Sequence, residues 1–162
     1  YTEEDIEFEK NNFNLLDAQR CFVENSYDFQ VKGLGMYTNK EIVIKGCQVT
    51  IDQLEEFISL IDADQVSITA ADVVSDNMYD IRLENHDYTL GHMLERALYD
   101  KYYKGDNTMN FCGFIKQHPH ESDSIVRLGY KTAIEPVNIR QQLNSVSREL
   151  IETFRGIMKT FV

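Results

Sequence analysis

Three groups of residues in this chain have types and spacings that could do chemistry. Asp62-Ala63-Asp64 sets two carboxylates two residues apart, a spacing used to hold divalent cations through oxygen. No third acidic residue continues the line, and the pair falls at the end of a predicted helix, so a solvated turn accounts for it as well. His118-Pro119-His120 could offer two imidazoles to a metal, with His86, Asp87 and His92 as further ligands elsewhere. The spacing is not the i, i+4 of a helical HExxH pair, and a turn whose imidazoles bond to backbone is the alternative. Gly33-Leu34-Gly35 stands ahead of a helix, where phosphate-binding loops stand. The third glycine of GxGxxG is replaced by Thr38 and no GK[ST] follows, so a strand-to-helix turn explains both glycines. There is no GxSxG, and no Cys–His pairing is evident locally. Spacing alone assembles no active site. The expectation is no catalytic, metal-binding or cofactor-binding residue, and no cofactor.

The elements that would position these residues follow from periodicity. Tyr27, Phe29 and Val31 alternate with Asp28 and Gln30, which predicts a strand. Residues 1 to about 26 are weakly patterned, with an acidic start in Glu3, Glu4, Asp5, Glu7 and Glu9. Thr38 and Glu41 spell a capping box. Behind it Val43, Cys47, Ile51, Leu54, Ile58 and Ile61 recur at steps of three or four, predicting a helix of roughly 24 residues, or about 36 Å. Two strands follow, around Val66–Thr69 and Tyr79–Leu83, with a turn at Ser75-Asp76-Asn77. Thr89 is the expected cap of a helix whose stripe is Leu90, Met93, Leu94, Ala97 and Leu98. Gly105-Asp106-Asn107 breaks it. Strands at Phe111–Ile115 and Ile125–Tyr130 flank the His118 turn, with Val126, Leu128 and Tyr130 on one face. Pro136 suits the first position of a last helix carrying Ile139, Leu143, Val146, Leu150, Phe154, Ile157 and Phe161. The second unit thus reads β-β-α-β-β-α, an α+β fold with an antiparallel sheet and helices packed on one face.

Composition narrows the function classes. The chain has 162 residues, 43% of them hydrophobic, with only two prolines, which describes a folded protein of ordinary domain size. Sixteen basic against 27 acidic residues give a net charge of −11. That field repels a phosphate backbone and an anionic lipid surface, so neither direct nucleic-acid binding nor membrane association is expected. No apolar run approaches the roughly 18 to 20 residues a bilayer span needs. Three cysteines without a CxxC suit a reducing compartment. The first residue is Tyr1 rather than Met, and a piece of a longer chain or a processed product is expected. Two long apolar stripes are wider than one small sheet covers, which calls for helix-on-helix packing within the chain or with a partner.

Several of these residues carry a family resemblance. Asp87-Tyr-Thr-Leu-Gly-His-Met-Leu94 resembles the DHTLGNLL-type segment of the eleventh subunit of eukaryotic RNA polymerase II and of archaeal subunit L. Phe111-Cys-Gly-Phe114 is similar to its FAGY, and His118-Pro119 with Glu121 to its PHPLE; Ile125-Val-Arg-Leu128 resembles the strand that follows. This resemblance covers about residues 64 to 162. Tyr27-Asp-Phe-Gln-Val31, Gly35 and Lys40-Glu-Ile-Val43 resemble the end of the third polymerase subunit, or archaeal D. The arrangement is similar to the fused third and eleventh subunit of large cytoplasmic DNA viruses, the African swine fever virus group in particular. Tyr88 replaces the usual His, His92 replaces Asn, and the stretch Lys101–Asn110 is longer than usual by about five residues, the length of a typical short loop.

The resemblance implies an RNA polymerase dimerisation fold in two parts. Residues 1–62 would be the C-terminal portion of a third-subunit-like domain, a strand plus a long helix, and residues 63–162 an eleventh-subunit-like domain. It implies a non-catalytic assembly platform for a multisubunit DNA-directed RNA polymerase, not an enzyme by itself. Its partners would be the two large polymerase subunits and other polymerase subunits. If the chain is viral it would work in host cytoplasm and virion, and otherwise in the nucleus or cytoplasm with the polymerase. The family pairs the closing helices of its two subunits, so the expected interface comprises Val43, Cys47, Ile51, Leu54 and Ile58; Leu90, Met93, Leu94 and Leu98; and Leu143, Val146, Leu150, Phe154 and Phe161. Two other functions compete with this one: a free-standing homodimeric interaction module and a small metal-dependent hydrolase using His118, His120 and an acidic residue.

Overall fold

The computed structural model of the chain describes residues 2–23, 26–73 and 75–161. It divides into two compact units, Tyr1–Leu34 and Gly35–Val162. This division falls 28 residues before the 62/63 boundary between the two resemblances, so the long helix belongs to the same unit as the sheet.

In the first unit the acidic start is a helix, α1 (Glu3–Asn12), extended by a π-helical turn over Phe13–Asp17 and a short 3₁₀ turn over Ala18–Arg20. Its nucleus is local. The Thr2 hydroxyl accepts from the Asp5 N–H at 3.3 Å, and the Asp5 carboxylate accepts from the Thr2 N–H at 2.8 Å. This is a capping box with Asp in the Glu position, and the Thr2 amide and hydroxyl hold the Asp5 carboxyl below its ordinary pKa. The expected strand at Tyr27–Val31 is absent: these residues form no ladder, and Tyr27 and Phe29 stand 75% and 87% exposed. Alternation gives a strand two faces but no neighbour, and an unpaired strand leaves its N–H and C=O groups to water. None of the described residues of this unit is buried.

The second unit opens at Gly35, whose φ of +100° a side chain disfavours. Helix α2 (Asn39–Asp62) starts at the predicted capping box. The Thr38 hydroxyl accepts from Glu41 N–H at 3.3 Å and Glu41 accepts from Thr38 N–H at 2.8 Å. Four strands follow in the predicted order: β1 (Ile68–Ala70), β2 (Met78–Leu83), β3 (Met109–Ile115) and β4 (Ser124–Tyr130). They form one antiparallel sheet in the order β1-β2-β4-β3. Helix α3 (Tyr88–Leu98) lies between β2 and β3, and helix α4 (Pro136–Phe161) closes the chain. The cap of α3 is Asp87, not Thr89. Its carboxylate accepts from the Tyr88 N–H at 2.8 Å and its carbonyl accepts the first helical bond from Gly91, two residues earlier than periodicity placed it. The helix then runs on as a π-helical segment over Tyr99–Gly105 before Asn107, at φ 53°, turns the chain into β3.

The fold is therefore mixed α+β, a four-stranded antiparallel sheet with helices packed on it. Alternation decides which face they cover. Ile81, Leu83, Val126, Leu128 and Tyr130 are buried in the same core as the helix residues. Arg82 and Arg127 between them carry charge on the other face, where Arg127 forks Asp80 through two hydrogen bonds of 2.6 and 2.8 Å. Two tyrosine hydroxyls tie the sheet to the last helix and the loop before it: Tyr79 donates to the Ile134 carbonyl at 2.9 Å, and Tyr130 to Gln142 at 2.6 Å. Burial pushes the Tyr130 hydroxyl well above its ordinary pKa, so it stays a donor.

Candidate interface: the α2–α4 seam and its overhang

The two long helices pack on each other within one chain. Three polar ties fix their direction. Asn144 donates to the Asp62 carboxylate at 2.8 Å, Arg140 lies 2.8 Å from the Asp64 carboxylate, and Arg155 donates to Glu55 at 3.0 Å. Early α4 thus meets the end of α2, and late α4 meets its middle, so the helices run antiparallel. Asp62-Ala63-Asp64, expected as a solvated turn, spends both carboxylates on α4. Asp64 takes a left-handed φ of 60° to do so, which Asp tolerates better than most residues. Each exposed pair of this kind contributes about 0.2–1 kcal/mol. They set register more than stability.

The apolar residues supply the energy. Of the expected interface, Ile51, Leu54, Ile58, Leu90, Leu94, Leu98, Leu143 and Val146 are buried in one core, and Cys47 is buried outside it. Met93, Leu150 and Phe154 pack against it half-buried. Val43 and Phe161, at the free ends of the two helices, are half-buried as well. Phe57, Ile61, Ile139 and Ile151 lie outside the expected interface, although Ile61 and Ile139 stand on the predicted stripes, and all four are buried. The stripe at Leu54 and Ile58 already places Phe57 on the same side, at i+3 from Leu54.

The sheet is shorter than the helices. Buried positions on α2 span Cys47 to Ile61 and on α4 Ile139 to Ile151, about 21 and 18 Å at 1.5 Å per residue. A seven-residue strand spans roughly 24 Å. The first two turns of α2 and the last two or three of α4 carry no fully buried side chain, and antiparallel packing brings them towards the same end of the helix pair. Ile42 and Ile157 there are 36% and 38% exposed, and Phe154, Met158 and Phe161 are half-covered. This overhang is one apolar surface that the core leaves partly open.

The histidine pair adds little geometry. His118 and His120 are exposed with ring centroids 5.1 Å apart, and the His120 N–H donates to His118 Nδ1 at 3.2 Å. No group of three or more His, Cys, Asp or Glu side chains is gathered for a metal among the described residues. Gly33 and Gly35 do not begin a phosphate cradle of the GxGxxG kind, because Thr38 is occupied as the cap of α2. No described helix is long and apolar enough to cross a membrane. Burial pushes the Cys112 thiol up to about 12, and its Sγ lies 3.4 Å from the Glu95 carbonyl, so it is a packing group and not a nucleophile. No protein-family model matches the chain, and no curated protein matches it.

Proposed function

We propose that the chain is a non-catalytic assembly-platform subunit of a multisubunit DNA-directed RNA polymerase, joining the end of a third-subunit-like part to an eleventh-subunit-like dimerisation domain. The observation that carries this reading is the α2–α4 seam. The two helices that the resemblance assigns to different subunits pack antiparallel in one chain, as a fusion requires. The order β-β-α-β-β-α and the register of Asp87–Leu94, Phe111–Phe114 and Ile125–Leu128 on α3, β3 and β4 support it further. Linking the two helices raises the effective concentration of the seam. A platform formed this way depends less on subunit concentration than a heterodimer does. The overhang, with Val43, Phe154 and Phe161, is the surface offered to further polymerase subunits.

The test is co-purification. An affinity-tagged chain, expressed in cells that make the polymerase, should retain both large subunits through a salt wash. Phe161→Asp with Ile157→Asp, confined to the overhang, should lose them while keeping the far-ultraviolet dichroism of the wild type. A folded wild-type chain that retains neither large subunit would remove the reading, leaving the interaction module.

A further inference from the structure

The overhang differs from the chain as a whole in the sign of its charge. The chain holds 27 acidic against 16 basic residues. Over residues 39–49 and 150–161, four cations, Lys40, Lys45, Arg155 and Lys159, stand against two carboxylates, Glu41 and Glu152. Both carboxylates are engaged. Glu41 accepts from the Thr38 amide and hydroxyl at 2.8 and 2.9 Å, and Glu152 accepts from Arg155 at 2.8 Å. Glu55, the next carboxylate within reach, also accepts from Arg155, at 3.0 Å. Lys40, Lys45 and Lys159 form no ion pair among the described residues. All three are exposed, and Lys45 lies 4.7 Å over the Tyr37 ring.

These lysines border the apolar side chains. Lys40 stands three residues before Val43 and Lys45 three after Ile42, so each is a neighbour on the α2 surface. Lys159 stands in the last turn of α4, between Met158 and Phe161. Carrying the Arg155–Glu55 contact six residues along each antiparallel helix brings Phe161 about level with Val49. The first two turns of α2 therefore stand past the end of α4. Both helices spend their backbone N–H and C=O groups internally. The surface thus offers side chains and no ladder, which excludes an added strand. Side chains spaced three and four apart leave grooves that receive the apolar ridge of another helix.

We propose that the overhang binds an amphipathic helix of a partner protein, apolar on one face and acidic along its flanks. This names what docks on the surface already assigned to further subunits, and it rests on that reading of the overhang. The local sign selects the acidic flank, because Lys40, Lys45 and Lys159 lack the counter-charge that it supplies. A second copy presenting its own overhang would set lysine against lysine. A phosphate backbone would pair the lysines but leave Ile157 and Phe161 in water, so the apolar patch selects a protein segment.

The probe is a fluorescein-labelled eighteen-residue peptide with leucine at alternating steps of three and four, glutamate beside the leucines and alanine elsewhere. It is titrated with the full chain at about 0.15 M salt, where screening over roughly 8 Å leaves only close charges effective. Saturable binding is expected. Lys40→Glu with Lys159→Glu should weaken it at least tenfold while holding the unfolding midpoint within a degree or two, and Ile157→Asp should weaken it as much. Lys131→Glu, next to Tyr130 at the early end of α4, should change it less than twofold. The same peptide with lysine for every glutamate should bind the wild type at least tenfold more weakly. It should bind the chain carrying both lysine-to-glutamate changes more tightly than it binds the wild type. No saturable binding at millimolar protein overturns the proposal, as does equal affinity for the lysine peptide. Displacement by a single-stranded oligonucleotide of the same charge would assign the lysines to a polyanion and overturn it. Self-association of the peptide-free chain that Ile157→Asp abolishes would assign the overhang to a second copy, with the same consequence. Co-purification separates this inference from the polymerase reading. A wild-type chain that retains both large subunits but binds no acidic peptide keeps the platform and loses the acidic helix. A chain that binds the peptide and retains neither large subunit loses the platform and keeps the helix site.

Discussion

Gly91 lies on the buried side of α3, directly against the ring of Phe114. A Cβ built there falls inside contact distance of Phe114 Cε2 and Cδ2 and 3.2 Å from Cζ. His92 and Tyr88 lie against the ring at 4.5 and 5.5 Å, so it retreats only by displacing them. Gly91→Ala therefore forces either the ring and its two neighbours aside or helix and strand apart. Overpacking of this kind costs about 1–3 kcal/mol, and so severe an overlap belongs near 3. Against it, Ala gains about 1 kcal/mol over Gly in a helix interior. The net expectation is a loss of about 2 kcal/mol, or roughly 6–12 °C in the midpoint of a unit this size. The decisive comparison is the same change in a Phe114→Ala background. With the ring gone the clash vanishes and only propensity remains, so Gly91→Ala should stabilise by about 1 kcal/mol. The sign reverses and the coupling is about 3 kcal/mol. Urea unfolding followed by dichroism measures all four proteins, with unchanged slopes required for a fair comparison. If Gly91→Ala has the same sign in both backgrounds, or the coupling is under about 0.5 kcal/mol, α3 does not lie against β3 as described.

Other expectations are simpler. Leu143 is fully buried at the seam, so Leu143→Ala should cost about 3–5 kcal/mol by chemical denaturation, while the exposed neighbour Gln141→Ala stays within about 0.5. At Gly35, with φ +100° and open space around its Cβ, Ala meets no side chain but does meet backbone strain; a loss of about 1 kcal/mol is expected, and an unchanged midpoint would mean the turn relaxes freely. Asp123 accepts from the Asn85 N–H, from Arg82 and from Ser122, which together hold its pKa down to about 2. Because the folded value is the lower one, its stabilisation is present above the unfolded carboxylate range near 4 and is lost as pH falls towards about 2. Carboxyl NMR titration should find that midpoint. Arg82→Ala should raise it only in part, since the Asn85 amide is the larger cause.

What could be read from the sequence and what could not divide along one physical line. The Thr38–Glu41 box and the stripe behind it act within four residues, and α2 begins and ends where they said. Alternation at Val126, Leu128 and Tyr130 needs only a period of two, and those three residues are buried together. The same period at Tyr27, Phe29 and Val31 predicted a strand that did not form, because a strand also needs a ladder partner and alternation does not say whether one exists. The acidic start shows the opposite case: Thr2 and Asp5 form a capping box with no buried stripe behind it, and the cap and its turn form without burial. At the candidate interface, periodicity found which residues are apolar and inward but not what they meet. Asp62 and Asn144 lie 82 positions apart, and Asp62 reads as a solvated turn until α4 is laid beside it. Likewise, Tyr88 and His92 are ordinary surface residues of a helix until Phe114 is placed under them by the register of β3 on β4. A stripe constrains one element. A surface that a partner could recognise is set by two elements in register, and that information sits in the pairing of distant segments rather than in any window of the chain.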